Sequence, residues 1–128
     1  MPDDPGFVDL GFAKADTGRE ARCGFPEVIF CQGKTPEHVA AIAATIHNRS
    51  GAVLATRATP DHAAAVEAVL PGAVYHAAAR CIVAAARPLP RSSGTVGVLC
   101  AGTSDLPVAE EAAVCLDFFG QTVERIHD

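Results

Sequence analysis

Between an apolar run and an amphipathic helix pattern, this 128-residue chain carries Ala101-Gly102-Thr103-Ser104-Asp105. The turn holds hydroxyls, a carboxylate and small residues that let the backbone bend tightly. Where such a turn joins a strand to a helix, backbone N–H groups and the positive end of the helix dipole converge. That point suits a phosphate or a carboxylate. Gly102 gives backbone room, Thr103 and Ser104 supply hydroxyl donors, and Asp105 either caps the helix or accepts bonds from ribose hydroxyls. A plainer alternative stays open at this stage: Ser104 or Asp105 is only the N-cap, a role worth about 1 kcal/mol. Lys34 and Arg57 each follow a predicted strand, and ligands of open α/β sheets lie beyond the carboxyl ends of strands. Both are weaker candidates to face a diphosphate or a carboxylate, and both also read as ordinary surface charges. Gly33-Lys34-Thr35 is not a P-loop, because the upstream glycine and the spacing are missing.

Other reactive side chains narrow the chemistry. The five cysteines (Cys23, Cys31, Cys81, Cys100, Cys115) are scattered, odd in number and without a CxxC pair, so neither a disulfide framework nor a zinc site is indicated. Cys100 and Cys115 read as core fillers in a strand and a helix. The five histidines show no HxH or HExxH spacing, and no metal ligands are assigned. His38 and His62 are expected in solvent near helix starts. A net charge of −5 argues against a general nucleic-acid binder. No apolar run approaches transmembrane length and the acidic start Met1-Pro2-Asp3-Asp4-Pro5 is no signal peptide, so no membrane partner is expected and the cytoplasm is the expected location.

These residues need elements to place them. Thr95 to Ala101 is continuously apolar, the pattern of a parallel strand buried on both faces. Pro107 suits a first helical turn, and Ala109, Ala112, Ala113, Leu116 and Phe119 recur at helical spacing up to Gly120. Thr122 to Ile126 starts another strand. Upstream, Val28-Ile29-Phe30 and Ala52 to Ala55 read as strands. Thr35-Pro36-Glu37-His38 and Thr59-Pro60-Asp61-His62 each open an Ala-rich helix, as in a worn duplication. Residues 73–76 begin a third strand. Ala77 to Ala86 is ambiguous between helix and strand and is assigned strand, because the βα units need it to complete a sheet. Phe7 to Phe12 alternates weakly, as an edge strand does, and Met1 to Gly6 is expected to be disordered. The reading is an α/β chain: a disordered or edge segment over 1–15, a small βαβαβ domain over 16–87, and a linker over 88–94. The first strand-helix-strand of a parallel sheet follows over 95–128.

The sequence Ala101-Gly102-Thr103-Ser104-Asp105-Leu106-Pro107-Val108-Ala109-Glu110-Glu111-Ala112-Ala113 resembles the signature of the LarB family, proteins related to the aminoimidazole ribonucleotide carboxylase and mutase PurE. Its turn is similar to the Gly-Ser-x-Ser-Asp loop with which PurE holds the phosphate and ribose of its mononucleotide. Ser104 and Asp105 match that loop, while Gly102 stands where PurE has its first serine. Asp16, Arg19 and Arg22, then Gly24-Phe25-Pro26-Glu27-Val28-Ile29 and Gly33-Lys34-Thr35, also look like LarB, as do Tyr75-His76 and Ala79-Arg80. The two arginines three apart share a helical face; they either meet carboxylates or phosphates, or pair with Asp16 and Glu20 in solvent.

The resemblance spans Asp16 to Asp128 and implies a PurE-like domain that continues beyond this chain. It implies carboxylation of the pyridinium ring of nicotinic acid adenine dinucleotide with cleavage of its phosphoanhydride, a step toward the nickel-pincer cofactor. Carbon dioxide is then the co-substrate, and a divalent cation such as magnesium is compatible with the reaction. The implied assembly is a homo-oligomer, an octamer at full length. In the family a cysteine adds covalently to the ring; none of the five here matches it, so it is expected beyond Asp128 and this chain alone is expected to be inactive. His127 lacks the setting of PurE's catalytic histidine. Two rival readings remain: a PurE-type carboxylase or mutase on an aminoimidazole ribonucleotide, and a non-catalytic nucleotide-binding fragment.

Overall fold

A computed structural model describes residues 5–87 and 89–127. In chain order the elements are β1 (Val8–Asp9), β2 (Lys14–Ala15), α1 (Arg19–Cys23), β3 (Val28–Phe30), α2 (Pro36–Ser50), β4 (Ala52–Thr56), α3 (Pro60–Val69), β5 (Val74–His76), β6 (Cys81–Ala85), β7 (Thr95–Cys100), α4 (Leu106–Phe118) and β8 (Thr122–His127). The repeated Thr-Pro-acid-His words do the same local work twice. Thr35 and Thr59 are extended, and each accepts on its side chain the N–H of the histidine three residues on. Each proline stands at the start of its helix, where its missing N–H costs nothing.

Four strands form a mixed sheet in the order β3-β4-β6-β5. β3 runs parallel to β4 with Val28 opposite Leu54, and β6 runs antiparallel to β4 with Leu54 opposite Val83. The βαβαβ succession is β3-α2-β4-α3-β5. Its second crossover skips one position, and the tight β5–β6 hairpin sends β6 back into the gap. The ambiguous Ala77 to Ala86 stretch is therefore a turn followed by a strand. Ile29, Val53 and Ile82 from one sheet face pack with Val39, Ile42, Ile46 and Val66 of α2 and α3. On the other face Leu54 and Cys81 pack with Val114 and Phe118 of α4. β4 is buried along almost its whole length because helices cover both of its faces.

α4 is apolar on two sides for the same reason. Ala109 and Ala113 pack on Val98 of a second sheet, in which β7 and β8 run parallel. This corrects the expectation that Thr95 to Ala101 is buried on both faces. α4 covers one face only, and on the other Leu99 is 73% and Ile126 49% exposed. Cys100 and Cys115 are only partly buried, not the core fillers the composition suggested.

The stretch before β7 is docked. Leu89 is buried among Leu54, Val114 and Phe118. Arg91 donates to the carbonyls of Asp117 and Gln121 at 3.0 and 2.7 Å. Gly120 has φ 91, and a Cβ there would collide with the Pro90 carbonyl, so both backbone and space demand glycine. At the other end β1 and β2 form a hairpin, and Ala15 enters the main core. Of the residues expected to be disordered, Met1 to Asp4 lie outside the described residues. Gly6, however, accepts a hydrogen bond from the Gly18 N–H at 2.9 Å.

Candidate functional site

The 102–105 turn sits where the sequence places it, at the head of α4. Gly102 has φ 84, a value that glycine adopts without strain. Asp105 occupies the N-cap position, but in a helical conformation (φ −93, ψ −5) rather than an extended one, and its side chain makes no cap hydrogen bond. The Leu106 N–H bonds to the Thr103 carbonyl at 3.3 Å, and the Ala109 N–H to the Asp105 carbonyl at 3.0 Å. Among the described residues the N–H groups of Thr103, Ser104, Asp105 and Val108 have no protein partner, nor do the hydroxyls of Thr103 and Ser104. Residues Gly102 to Asp105 are all exposed. These are the orphan donors of a helix start, presented together on one small turn.

Around the turn, Leu99, Cys100, Ala101, Ile126 and His127 line an open hollow of about 520 Å³. One wall is braced by Glu110. It accepts from Arg125 Nε at 3.1 and 3.2 Å and lies 3.4 Å from His127 Nε2.

The contacts also fix how α4 lies on the N-terminal sheet. Phe118 packs with Ala52 at the start of β4, while Glu111 meets Arg57 just past its end. α4 thus runs antiparallel to β4. Its head projects beyond Glu111 by six residues, about 9 Å at the helical rise. The turn therefore lies at the same end of the molecule as the carboxyl ends of β3 and β4, where Lys34 and Arg57 stand.

Both of those cations have protein partners. Lys34 donates from Nζ to the Phe30 carbonyl at 2.7 Å. Arg57 donates from Nε and Nη2 to the two oxygens of Glu111 at 2.8 and 3.4 Å. That hydrogen bond raises the guanidinium pKa above its ordinary value. Arg57 also sits at φ 54, as does Arg80, whose carbonyl accepts the Ala58 N–H at 2.8 Å. Two left-handed arginines are thus neighbours on this rim. No sequence signal announced Arg80's backbone, since left-handed positions are ordinarily marked by Gly, Asn or Asp.

His62 departs from its expected place in solvent: it is 6% exposed. Its Nδ1 accepts the Thr59 N–H at 3.0 Å, which leaves Nε2 to donate to the Lys34 carbonyl at 2.7 Å. It ties the start of α3 to the loop after β3. His38 is partly exposed and stacks on Phe12, with ring centroids 3.8 Å apart. The two arginines of α1 meet a carboxylate of this chain: Asp16 accepts from Arg19 at 3.2 Å and Arg22 at 2.6 Å. Glu20 pairs with Arg87 at 2.7 Å instead. Burial works to raise the Asp16 pKa, but the bonds from Arg22, the Gly18 N–H and Arg19 outweigh it and hold the carboxyl below its usual value. Burial pushes the Cys31 thiol up to about 11.

Residues 7–87 match the family described as the LarB/PurE-like N-terminal domain. The chain is also similar to the uncharacterized protein MJ0165 of Methanocaldococcus jannaschii, with 30% identity over 121 residues. That match covers 90% of this chain and 47% of the relative, so the chain spans about half the relative's length. The family match takes in the sheet of β3 to β6 with both of its crossover helices, and stops just before the segment that leads to the turn: the chain belongs to the LarB/PurE-like family.

Proposed function

We propose that this chain serves a carboxylase of the pyridinium ring of nicotinic acid adenine dinucleotide, in nickel-pincer cofactor biosynthesis, by holding the mononucleotide half of the substrate. The observation that carries the reading is the cluster of unpartnered N–H groups and hydroxyls at residues 103–105, exposed at the head of α4. An anion there gains charge-assisted hydrogen bonds and the helix dipole together. Ser104 and Thr103 donate to the phosphate. The Asp105 carboxylate, uncommitted to capping, accepts from the ribose hydroxyls. Glu111, clamped by Arg57, holds α4 against the N-terminal sheet so that the turn keeps its place.

The family's nucleophilic cysteine has no counterpart among the five here, and ring activation is not assigned to this chain. Carbon dioxide is the co-substrate of the proposed reaction, and the assembly we expect is a homo-oligomer. A PurE-type reaction on an aminoimidazole ribonucleotide would use the same turn, and the match of residues 7–87 to the LarB/PurE-like N-terminal domain is compatible with either substrate. Calorimetric titration of the purified chain with nicotinate mononucleotide and with aminoimidazole ribonucleotide separates the two. Preference for the imidazole ribonucleotide, or no response to either, overturns the proposal.

A further inference from the structure

Three strands of the N-terminal sheet, β3, β4 and β5, run in one direction, since β3 is parallel to β4 and β6 is antiparallel to both β4 and β5. A cation follows each: Lys34 after β3, Arg57 after β4 and Arg80 after β5. Helices α2 and α3 start at this same end, from Thr35 and Thr59. Ligands of α/β sheets lie beyond the carboxyl ends of such strands. Hydrogen bonds stitch the loops into one surface. The Cys31 N–H donates to the Thr56 carbonyl at 2.9 Å, and His62 Nε2 to the Lys34 carbonyl at 2.7 Å. The Ala58 N–H donates to the Arg80 carbonyl at 2.8 Å, and the Tyr75 hydroxyl to the Ala58 carbonyl at 3.1 Å.

Arg80 differs from its two companions. Ala79 and Cys81 on either side of it are buried, yet Arg80 itself is exposed. Its N–H donates to the Ala77 carbonyl at 3.2 Å and its carbonyl accepts from Ala58, so the main chain is pinned on both sides at φ 54. A left-handed residue of this kind persists only where its surroundings over-determine it, and such residues gather at ligand clamps. Arg57 is committed to Glu111, and Lys34 to the Phe30 carbonyl. Glu37 and Asp61 stand in the first turns of α2 and α3, but among the described residues no carboxylate pairs with the Arg80 guanidinium.

We propose that Arg80 anchors a second phosphate subsite on this rim, separate from the 102–105 turn. The guanidinium lays two N–H groups on two phosphate oxygens, a match that a lysine ammonium does not offer. Lys34 adds positive charge, since its bond to the Phe30 carbonyl uses one of three ammonium protons. The subsite takes the phosphoryl group on the adenylate half of the dinucleotide, while the turn takes that of the mononucleotide half. This division of the substrate rests on the proposed role of the turn; the Arg80 subsite is read from the rim alone.

The test is calorimetric titration of the purified chain with three probes: nicotinic acid adenine dinucleotide, nicotinate mononucleotide and AMP. Arg80→Gln is expected to weaken the dinucleotide and AMP about ten-fold or more and to leave the mononucleotide unchanged. Arg80→Gly, which adopts φ 54 without strain, is expected to show the same losses, so that they are not a failure to fold. Ser104→Ala gives the reverse pattern, weakening the mononucleotide and sparing AMP. Arg80-dependent AMP binding without any response to the mononucleotide removes the role of the turn and supports the subsite. Wild-type protein that ignores AMP, Arg80 variants that keep full affinity for AMP and the dinucleotide, or an equal loss for the mononucleotide overturns the proposal.

Discussion

Arg57 holds the Glu111 carboxylate with two nitrogens, at 2.8 and 3.4 Å, from a backbone in the left-handed region at φ 54. One end of this bond is the tip of β4; the other is the second turn of the helix that carries the phosphate-binding candidate. If the pair acts as a clamp, Arg57→Gln and Glu111→Gln lower the thermal midpoint by similar amounts, and the double variant is no worse than either. Coupled residues give such non-additive cycles. High salt shrinks all three losses, because the pair is partly exposed. Arg57→Gly is expected to lose less than Arg57→Gln, since it drops the bond but relaxes the backbone. Additive losses in the cycle would count against a direct clamp.

Arg80 shares the backbone conformation without a partner of that kind among the described residues, and this separates strain from pairing. A left-handed non-glycine residue costs about 1–2 kcal/mol. Glycine returns roughly 0.5–1 kcal/mol of that through its freer unfolded chain. Arg80→Gly is therefore expected to be neutral or stabilising by up to about 1.5 kcal/mol on these two scales. Urea denaturation measures it. A clear loss of stability would mean that the side chain, not the backbone, matters at this position.

Asp16 predicts an acid dependence. Its folded-state pKa lies below the ordinary 3.8. The unfolded chain therefore takes up the proton first as pH falls. The stabilisation is complete above the unfolded value and is lost as pH drops through the lower folded one. The advantage of the wild type over Asp16→Asn should be full at neutral pH and fade below about pH 4. Arg22→Gln should remove most of the same dependence, since Arg22 makes the 2.6 Å bond. Thermal midpoints recorded from pH 7 downward test this; a wild-type advantage that is constant with pH would refute it.

The fold was largely legible because its signals are local. Thr35-Pro36 and Thr59-Pro60 announce helix starts whose caps the structure contains. Val28 to Phe30 and Ala52 to Ala55 read as strands on composition alone, and the continuous burial of β4 follows from its alternation-free apolar run. What was not legible depends on tertiary partners. Nothing in Tyr75-His76 says that the next strand turns back and slips between β4 and β5. The apolar run at Thr95 predicts burial, but which face of β7 is covered depends on neighbours that sequence does not name. His62 looks like any polar helix start until the loop after β3 arrives above it to accept its Nε2 proton. At the candidate site the turn itself was readable, since Gly102 and Pro107 mark a bend between strand and helix. The engagement of Arg57 with a carboxylate 54 residues away was not.

The exposed face of β7 and β8 predicts association. Leu99 is 73% exposed and Ile126 49%, and Val108 at the head of α4 is 60% exposed. Leu99 and Ile126 pair across β7 and β8, and exposed apolar surface of this kind is characteristic of contact sites. Light scattering across a concentration series is expected to show oligomers, and Leu99→Asp is expected to lower the mean mass. A monomer at every concentration, with Leu99→Asp indistinguishable from wild type, would remove this expectation.

The turn is tested most sharply by Ser104. In the structure Asp105, not Ser104, takes the N-cap position, and the Ser104 hydroxyl has no partner among the described residues. Ser104→Ala should therefore leave the unfolding midpoint almost unchanged, whereas a genuine serine cap would cost about 1 kcal/mol. If the hydroxyl donates to a phosphate, its loss removes a hydrogen bond to a charged group worth about 1.5–3 kcal/mol. Mononucleotide binding then weakens roughly ten- to a hundred-fold. Asp105→Asn should behave differently. It keeps the shape and removes a charge, so weaker ribose binding is offset by less repulsion of the phosphate, and the net loss is smaller than for Ser104→Ala. Calorimetric titration with nicotinate mononucleotide and the unfolding midpoint, measured on the same variants, give both quantities. Undiminished affinity in Ser104→Ala, whatever its stability, would retire the phosphate turn.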